Sequence, residues 1–130
     1  MSRGSVNIKE INRDLFSAQA KDWAKNISSA RRINNRTQLR RFYDELEMWY
    51  SQVFSLQREE QRKEKLQEIL PYIQMMIAKV AYSAARKNVD ENFEQMFSGL
   101  IRQIETVEDL RHAKLFMEAF LGFYRGYRND

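Results

Sequence analysis

Several residue types are scarce in this chain of 130 residues, and each shortage excludes a class of protein. There is no cysteine, which excludes disulfides and thiolate metal sites. Four glycines and one proline are too few for the many turns of an all-β fold. No apolar run reaches the roughly 20 residues of a membrane helix, and the N-terminus lacks the apolar middle of a secretory signal peptide. The sequence therefore predicts a cytoplasmic protein without a membrane contact.

The overall composition describes an ordinary folded domain with a modest basic excess. Charged residues make up 31% of the chain and hydrophobic residues 43%, which is typical of a globular domain rather than a disordered one. The net charge of +4 permits contact with nucleic acid or an acidic surface without requiring it. We expect a single helical domain over residues 1–130, with a flexible segment at residues 1–8.

Apolar residues recur at helical spacing along most of the chain, which predicts an all-α fold: a single compact bundle of about five helices. The first helix is expected over residues 9–28, with an apolar side of Ile11, Leu15, Ala18 and Trp23. The second is expected to begin after Asn35, because Asn35 followed by Gln38 forms a capping-box pattern.

The second half of the chain contains further helix signals. Residues 57–67 are almost wholly charged or amide-bearing, which is typical of a solvated helix face or arm. Pro71 marks a new helix or a kink. Residues 71–87 are apolar nearly all round, which predicts a centrally buried helix. Asn88 or Asp90 can cap the next helix, and a capping box of Thr106 with Asp109 precedes the last.

The residue patterns of common enzymes are missing. His112 is the only histidine, so a two-histidine zinc motif is excluded, and we expect its side chain to be exposed. The glycines are scattered rather than gathered into a phosphate-binding loop, and the paired acids lie in polar surroundings that do not raise a carboxyl pKa. The sequence predicts a protein that is not an enzyme and needs neither cofactor nor metal.

Five arginines crowd the start of the second helix, where the helix dipole disfavours cations. They are Arg31, Arg32, Arg36, Arg40 and Arg41. Arg40 with Asp44 and Arg41 with Glu45 form pairs four residues apart, but exposed pairs of this kind contribute only about 0.3–0.5 kcal/mol. Two explanations remain: a solvated basic loop with some tertiary pairing, or an anion supplied from outside.

Lys79 is a second anomaly, because it is the only charged residue between Pro71 and Ala85. Such a lysine must extend to solvent or meet a partner. Helical spacing places Met75, Lys79, Tyr82, Ser83 and Arg86 on one side, with Lys87 beside them. This stripe is either a basic binding edge or the exposed edge of an amphipathic helix.

The C-terminal segment GFYRGYRND interleaves Arg125 and Arg128 with tyrosines. Rings beside arginines can stack on unpaired bases, although such a segment more often packs its rings on the bundle, which is what we expect.

Three segments, TQLRRFYDEL, KVAYSAARK and MEAFLGFYR, resemble the small subunit of the type III-A CRISPR Csm complex. Residues Thr37 to Tyr43 match a Thr/Ser-Gln-aliphatic-Arg-Lys/Arg-Phe-Tyr pattern of that family. Lys79 and Arg86 match a Lys–Tyr–Arg pattern, with Tyr82 one position from the family spacing. The resemblance extends from Asn35 to Arg125.

The resemblance implies a compact, non-catalytic helical subunit that is present in more than one copy and lines the guide RNA–target RNA duplex in antiviral defence. Its implied partners are the backbones of guide RNA and target RNA and the other subunits of the effector complex, with possible self-association. Combined with the charge pattern, it predicts RNA-binding residues Arg36, Arg40, Arg41, Lys79, Arg86 and Lys87.

One alternative remains open. The charged run at residues 57–67 and the many aromatic residues also fit a helical protein–protein adaptor or a self-assembling dimer without a nucleic-acid role.

Overall fold

A computed structural model of the chain describes residues 5–130. A short π-helix, Leu15–Gln19, leads into α1 (Ala20–Ser28). It is followed by α2 (Arg36–Phe54), α3 (Glu59–Ala85), α4 (Glu91–Arg102) and α5 (Val107–Tyr127). The prediction of an all-α bundle of about five helices is confirmed, and residues 5–130 contain no strand. None of the described helices is both long enough and apolar enough to span a membrane.

The core lies where α5 packs against α1 and α2, and where α3 packs against α2 and α4. Aromatic side chains fill its centre: Phe93, Phe97, Phe116 and Phe120 are fully buried. Phe42 of α2 meets two of these rings, at 5.7 Å from Phe93 and 5.3 Å from Phe97. This contact holds the first half of α2 against α4.

Side-chain caps define the starts of three helices. Asn35 Oδ1 accepts a hydrogen bond from the Gln38 backbone N–H (3.0 Å), and Asp90 Oδ1 accepts one from Phe93 N–H (3.0 Å). Thr106 and Asp109 form a reciprocal capping box at the start of α5. These caps satisfy backbone donors that have no partner within the helix, and they confirm the predicted starts.

The first helix is shorter than predicted, and its apolar side differs. Leu15 and Trp23 are buried, but Ile11 and Ala18 are exposed. Asn12 caps a turn through its side chain, which accepts from Asp14 N–H (2.8 Å), and helical structure begins only at Leu15. The wide π turn then alters the rotation per residue, so a pattern drawn for a regular α-helix misplaces Ala18.

The segment before the first helix packs on the bundle where it is described. Residues 1–4 of the predicted flexible segment lie outside the described residues. Val6 and Ile8, in contrast, are buried. Gln103 binds both: its Oε1 accepts from Ile8 N–H (2.8 Å), and its Nε2 donates to the Val6 carbonyl (2.6 Å).

His112 lies in the same contact region, and its predicted exposure is wrong. The ring is buried, and Nδ1 lies 2.7 Å from the Ile8 carbonyl. Arg111 and Lys114, which flank His112 in the sequence, indicate an exposed position. The segment that covers the ring, however, lies 104 positions away in the chain.

Helix α3 is continuous, so Pro71 does not begin a new helix. Pro71 and Gln67 are both exposed, and the Gln67 carbonyl that loses its backbone donor therefore faces water. The central burial predicted for residues 71–87 is also wrong. Ile73, Met76 and Val80 face the core, while Tyr72, Met75 and Tyr82 are 56%, 55% and 64% exposed.

The connections use left-handed backbone at residues other than glycine. Arg32 and Asn34, before α2, have φ of 66° and 61°, and Lys87, after α3, has φ of 63°. At the end of α3, Asn88 N–H donates to the Ser83 carbonyl and Lys87 N–H to the Ala84 carbonyl, both at 3.0 Å. This Schellman arrangement normally takes glycine at the position of Lys87.

Candidate nucleic-acid interface

The arginine-rich start of α2 has different surroundings on its two sides. The side toward α3 opens into a groove of about 370 Å³, and the side toward α5 opens into a hollow of about 280 Å³. We call them the α2–α3 groove and the α2–α5 hollow. The predicted RNA-binding residues divide between them.

The α2–α3 groove unites three of the six predicted residues. Arg41 comes from α2, Lys79 from α3, and Arg86 from the turn that ends α3; all three are exposed. The remaining lining residues are Gln38, Phe42, Glu45, Tyr82, Ser83 and Asn88. Three cations therefore share one groove with a single carboxylate.

Glu45 accounts for the isolated charge of Lys79. Lys79 Nζ lies 3.0 Å from Glu45 Oε1 and 3.1 Å from Oε2, while the lysine side chain remains 49% exposed. Glu45 Oε2 also accepts from the Trp49 indole N–H (3.2 Å). The acid predicted to pair with Arg41 is thus used by Lys79 and Trp49, whereas the predicted Arg40–Asp44 pair forms at 3.6 Å.

Arg86 contacts the Tyr82 ring one helical turn before it. Its Nη1 lies 3.1 Å from the Tyr82 hydroxyl, to which it donates, and its guanidinium carbon lies 5.6 Å from the ring centroid. Both side chains are exposed, so this contact shapes the wall of the groove without removing the charge from solvent.

The α2–α5 hollow contains two more predicted residues, Arg36 and Arg40, together with Arg125 of α5. Arg36 is partly engaged within the chain: its backbone N–H donates to the Asp130 carbonyl (3.0 Å), and its Nη1 to the Asn129 carbonyl (3.4 Å). Arg125 is not among the RNA-binding residues predicted from the sequence, although it lies in the C-terminal segment where arginines alternate with tyrosines.

Lys87 follows Arg86 in the chain but lines neither the α2–α3 groove nor the α2–α5 hollow. It lines a shallow hollow next to Val89 and Ala85 that also contains Asp90, Glu91 and Glu94. Three acids in the same hollow make this lysine a poorer partner for an external anion than Arg41 or Lys79.

The C-terminal segment has a structural role: the ring of Tyr124 packs on the bundle as expected, whereas that of Tyr127 is exposed. Tyr124 is fully buried and donates to the Asn34 carbonyl; burial raises the pKa of Tyr124 to about 12. Arg128 donates to the carbonyls of Ser28, Ala30 and Ile33 at 3.3, 2.8 and 3.1 Å. A hydrogen bond from Arg128, with a smaller contribution from Arg36, holds the pKa of Asp130 below its ordinary value.

The capping box of α5 contains a buried acid, Asp109. Burial by itself would raise the pKa of Asp109, but hydrogen bonds from Lys9 and from the backbone N–H groups of Glu105 and Thr106 outweigh it and keep that pKa low. The bond from Lys9 Nζ is 2.6 Å long. These partners make Asp109 part of the fold. Across residues 5–130, no three histidine or acidic side chains gather into a metal-binding group.

A comparison with protein-family models identifies a family for this chain. The Csm2 Type III-A family model covers residues 10–130, nearly the whole chain. Searches of the curated proteins and of the solved structures found no match.

Proposed function

Because the chain belongs to the Csm2 family of type III-A CRISPR systems, we propose that it is a non-catalytic, sequence-independent RNA-binding subunit that lines the guide RNA–target RNA duplex. Family membership makes it a structural subunit of the type III-A complex, associated with other Csm subunits. The contact with RNA, its antiviral purpose and the cytoplasmic location belong to the proposal.

One observation carries the RNA-binding part: the α2–α3 groove gathers Arg41, Lys79 and Arg86 from two chain segments around a single acid. All three cations are exposed, and Lys79 alone has a carboxylate partner in the described chain. Cations that are held close together and remain hydrated attract a polyanion such as a phosphate backbone.

Contacts of this kind suit a guide-directed complex. Base pairing between guide and target already supplies sequence selection, so a subunit along the duplex needs affinity without base preference. Arginine and lysine bound to phosphates provide that affinity through the release of counterions. The α2–α5 hollow, where three arginines outnumber the single acid Asp130, would extend the basic surface around the start of α2.

The test is RNA affinity as a function of salt, measured for the full chain alone and in the assembled complex. Arg41→Gln, Lys79→Gln and Arg86→Gln should each lower the slope of log K against log salt by roughly 0.7 to 0.9 and weaken binding about fivefold at physiological salt. A Lys87→Gln variant in the same series tests the sixth predicted residue.

Lys63→Gln is the matched control, because Lys63 is an exposed cation of the same helix, 67% exposed and paired with Glu59 at 3.7 Å. It lies about 24 Å along α3 from Lys79. If Lys63→Gln loses as much RNA affinity as the three groove variants, the effect is one of net charge alone. If the three groove variants bind RNA like the parent, the assignment of the groove as the RNA-binding site is disproved.

The exposed apolar surface of α3 supports a second candidate function. Tyr72 and Met75 are more than half exposed, which is uncommon for large apolar side chains and is typical of a protein contact. On this hypothesis the chain is an adaptor or a self-associating dimer. A tight dimer without salt-dependent RNA affinity would favour it over the RNA-binding function.

A further inference from the structure

Tyr82 is the most exposed of the large hydrophobic side chains described, at 64%. We infer that Tyr82 and Arg86 form a stacking site for one unpaired nucleobase at the wall of the α2–α3 groove. The inference rests on the proposed function and deepens it, because it names a feature of the RNA that the phosphate-binding cations do not recognise.

The geometry leaves the Tyr82 ring available. The Arg86 guanidinium lies over the ring near the hydroxyl, with its carbon 5.6 Å from the ring centroid and Nη1 3.1 Å from the hydroxyl, and within residues 5–130 no aromatic ring stacks on Tyr82. Tyr72, ten residues earlier on α3, differs: its ring stacks on Trp49 with centroids 6.0 Å apart and planes 19° apart. One exposed tyrosine therefore has an aromatic neighbour, and the other has a guanidinium.

A tyrosine ring beside a guanidinium is suited to bind a base by its face. Every base has such a face, so stacking tolerates any sequence, and the cation strengthens the contact. Bases inside a duplex already stack on their neighbours, so only an unpaired base reaches the ring. Lys79, three residues before Tyr82 on the same groove, would hold the phosphate next to that base.

The experiment compares two RNA probes with the full chain. One is a fully paired RNA duplex, and the other is the same duplex with a single unpaired 2-aminopurine nucleotide in one strand. The parent should quench the 2-aminopurine fluorescence and bind the second probe more tightly. Tyr82→Ala should abolish quenching and weaken binding of the second probe roughly 5- to 150-fold, and leave the paired probe unchanged.

Two variants serve as controls. Tyr82→Phe keeps the ring and should keep both the quenching and the preference. Tyr72→Ala removes another tyrosine of the same helix that is more than half exposed and lies outside the groove, and it should change neither probe.

The outcomes separate this inference from the proposed function. If the parent binds the paired probe with the expected salt dependence but Tyr82→Ala affects both probes equally or neither, the stacking site is disproved and the phosphate contacts stand. A loss as large for Tyr72→Ala as for Tyr82→Ala also disproves it. If the parent binds neither probe, the proposed function fails and the stacking site fails with it.

Discussion

Arginine serves opposite purposes in two regions of this protein. Arg128 of the C-terminal segment donates to the carbonyl of Ser28, at the end of α1, and to two carbonyls of the loop of residues 29–35, so its guanidinium is bound by the chain itself. In the α2–α3 groove, Arg41 and Arg86 remain exposed, and the one carboxylate there is taken by Lys79. Arginine therefore stabilises the fold in one region and remains free to bind an external anion in the other.

The difference lies in the acceptors rather than in the arginines. The loop has left-handed turns at Arg32 and Asn34, which leave carbonyls without helical partners, and Arg128 satisfies them. The groove is lined mainly by α2 and α3, and the Ser83 and Ala84 carbonyls at the end of α3 already accept from the N–H groups of Asn88 and Lys87. Cations there meet only one carboxylate, Glu45, which pairs with Lys79, while Arg86 donates to the neutral hydroxyl of Tyr82.

If the contacts that stabilise the loop of residues 29–35 are independent of the α2–α3 groove, a substitution that removes them should lower the stability of the protein and leave its RNA affinity unchanged. Asn34 is fully buried; its Nδ2 donates to the Ile27 carbonyl (3.3 Å) and its Oδ1 accepts from Asp90 N–H (2.8 Å). Asn34→Ala leaves both partners unsatisfied and places alanine in a left-handed conformation. The free energy of unfolding in urea should fall by about 3 kcal/mol.

Asn88→Ala is the control, since Asn88 has an exposed side chain in the neighbouring connection, and it should change unfolding by less than about 0.5 kcal/mol. RNA affinity of the folded Asn34→Ala protein should equal that of the parent. A loss of RNA affinity in Asn34→Ala would show that the loop and the groove are coupled, and it would contradict the separation of their roles.

A smaller effect is expected from Tyr124→Phe, which removes only the bond to the Asn34 carbonyl. The variant should be less stable by about 1.5 kcal/mol at neutral pH. Because burial raises the pKa of Tyr124 to about 12, the neutral hydroxyl is favoured in the folded protein. Its stabilisation is present below the ordinary tyrosine pKa of about 10 and is lost as the pH rises from there through about 12.

The measurement is the difference in unfolding free energy between parent and Tyr124→Phe across that alkaline range. Subtraction removes the titration of other groups, such as Lys9, that the two proteins share. The difference should shrink steadily above pH 10, and a constant difference would contradict the assignment of Tyr124.

Local patterns in the sequence were sufficient for the helical fold and for part of the site. Asn35, Asp90 and Thr106 cap the helices that they were expected to cap, because a cap depends on residues only three positions apart. The stripe of Lys79, Tyr82 and Arg86 follows from helical spacing and lies in the groove as a group. These features depend on the nearest neighbours in the chain.

Features that depend on distant residues were beyond local patterns. Glu45 offers Arg41 a pair four residues away, yet it binds Lys79, 34 residues away, which no local rule predicts. His112 is covered by Ile8, 104 residues away. The exposure of one face of α3 was not predicted either, because an apolar helix face in the sequence does not show whether another helix packs against it.

Glu45→Gln gives the smallest effect and tests the groove directly. Glutamine keeps an oxygen for the Trp49 indole but removes the negative charge that holds Lys79 at 3.0 Å. Glu45 is 24% exposed and Lys79 49%, so the pair contributes less than about 1 kcal/mol to stability. RNA affinity should rise about two- to fivefold, since Lys79 no longer has to leave an acid before it binds phosphate.

The control for this variant is Glu68→Gln. It changes the net charge of the protein by the same amount as Glu45→Gln, but Glu68 lies on α3 about 16 Å along the helix from Lys79. Its carboxylate pairs with Lys65 at 3.3 Å, outside the groove. Equal gains from both variants would mean that RNA senses only the total charge of the protein. A gain confined to Glu45→Gln would show instead that one acid limits the binding of RNA to the groove. The loop differs, because the acceptors of Arg128 are backbone carbonyls, which no side-chain substitution removes.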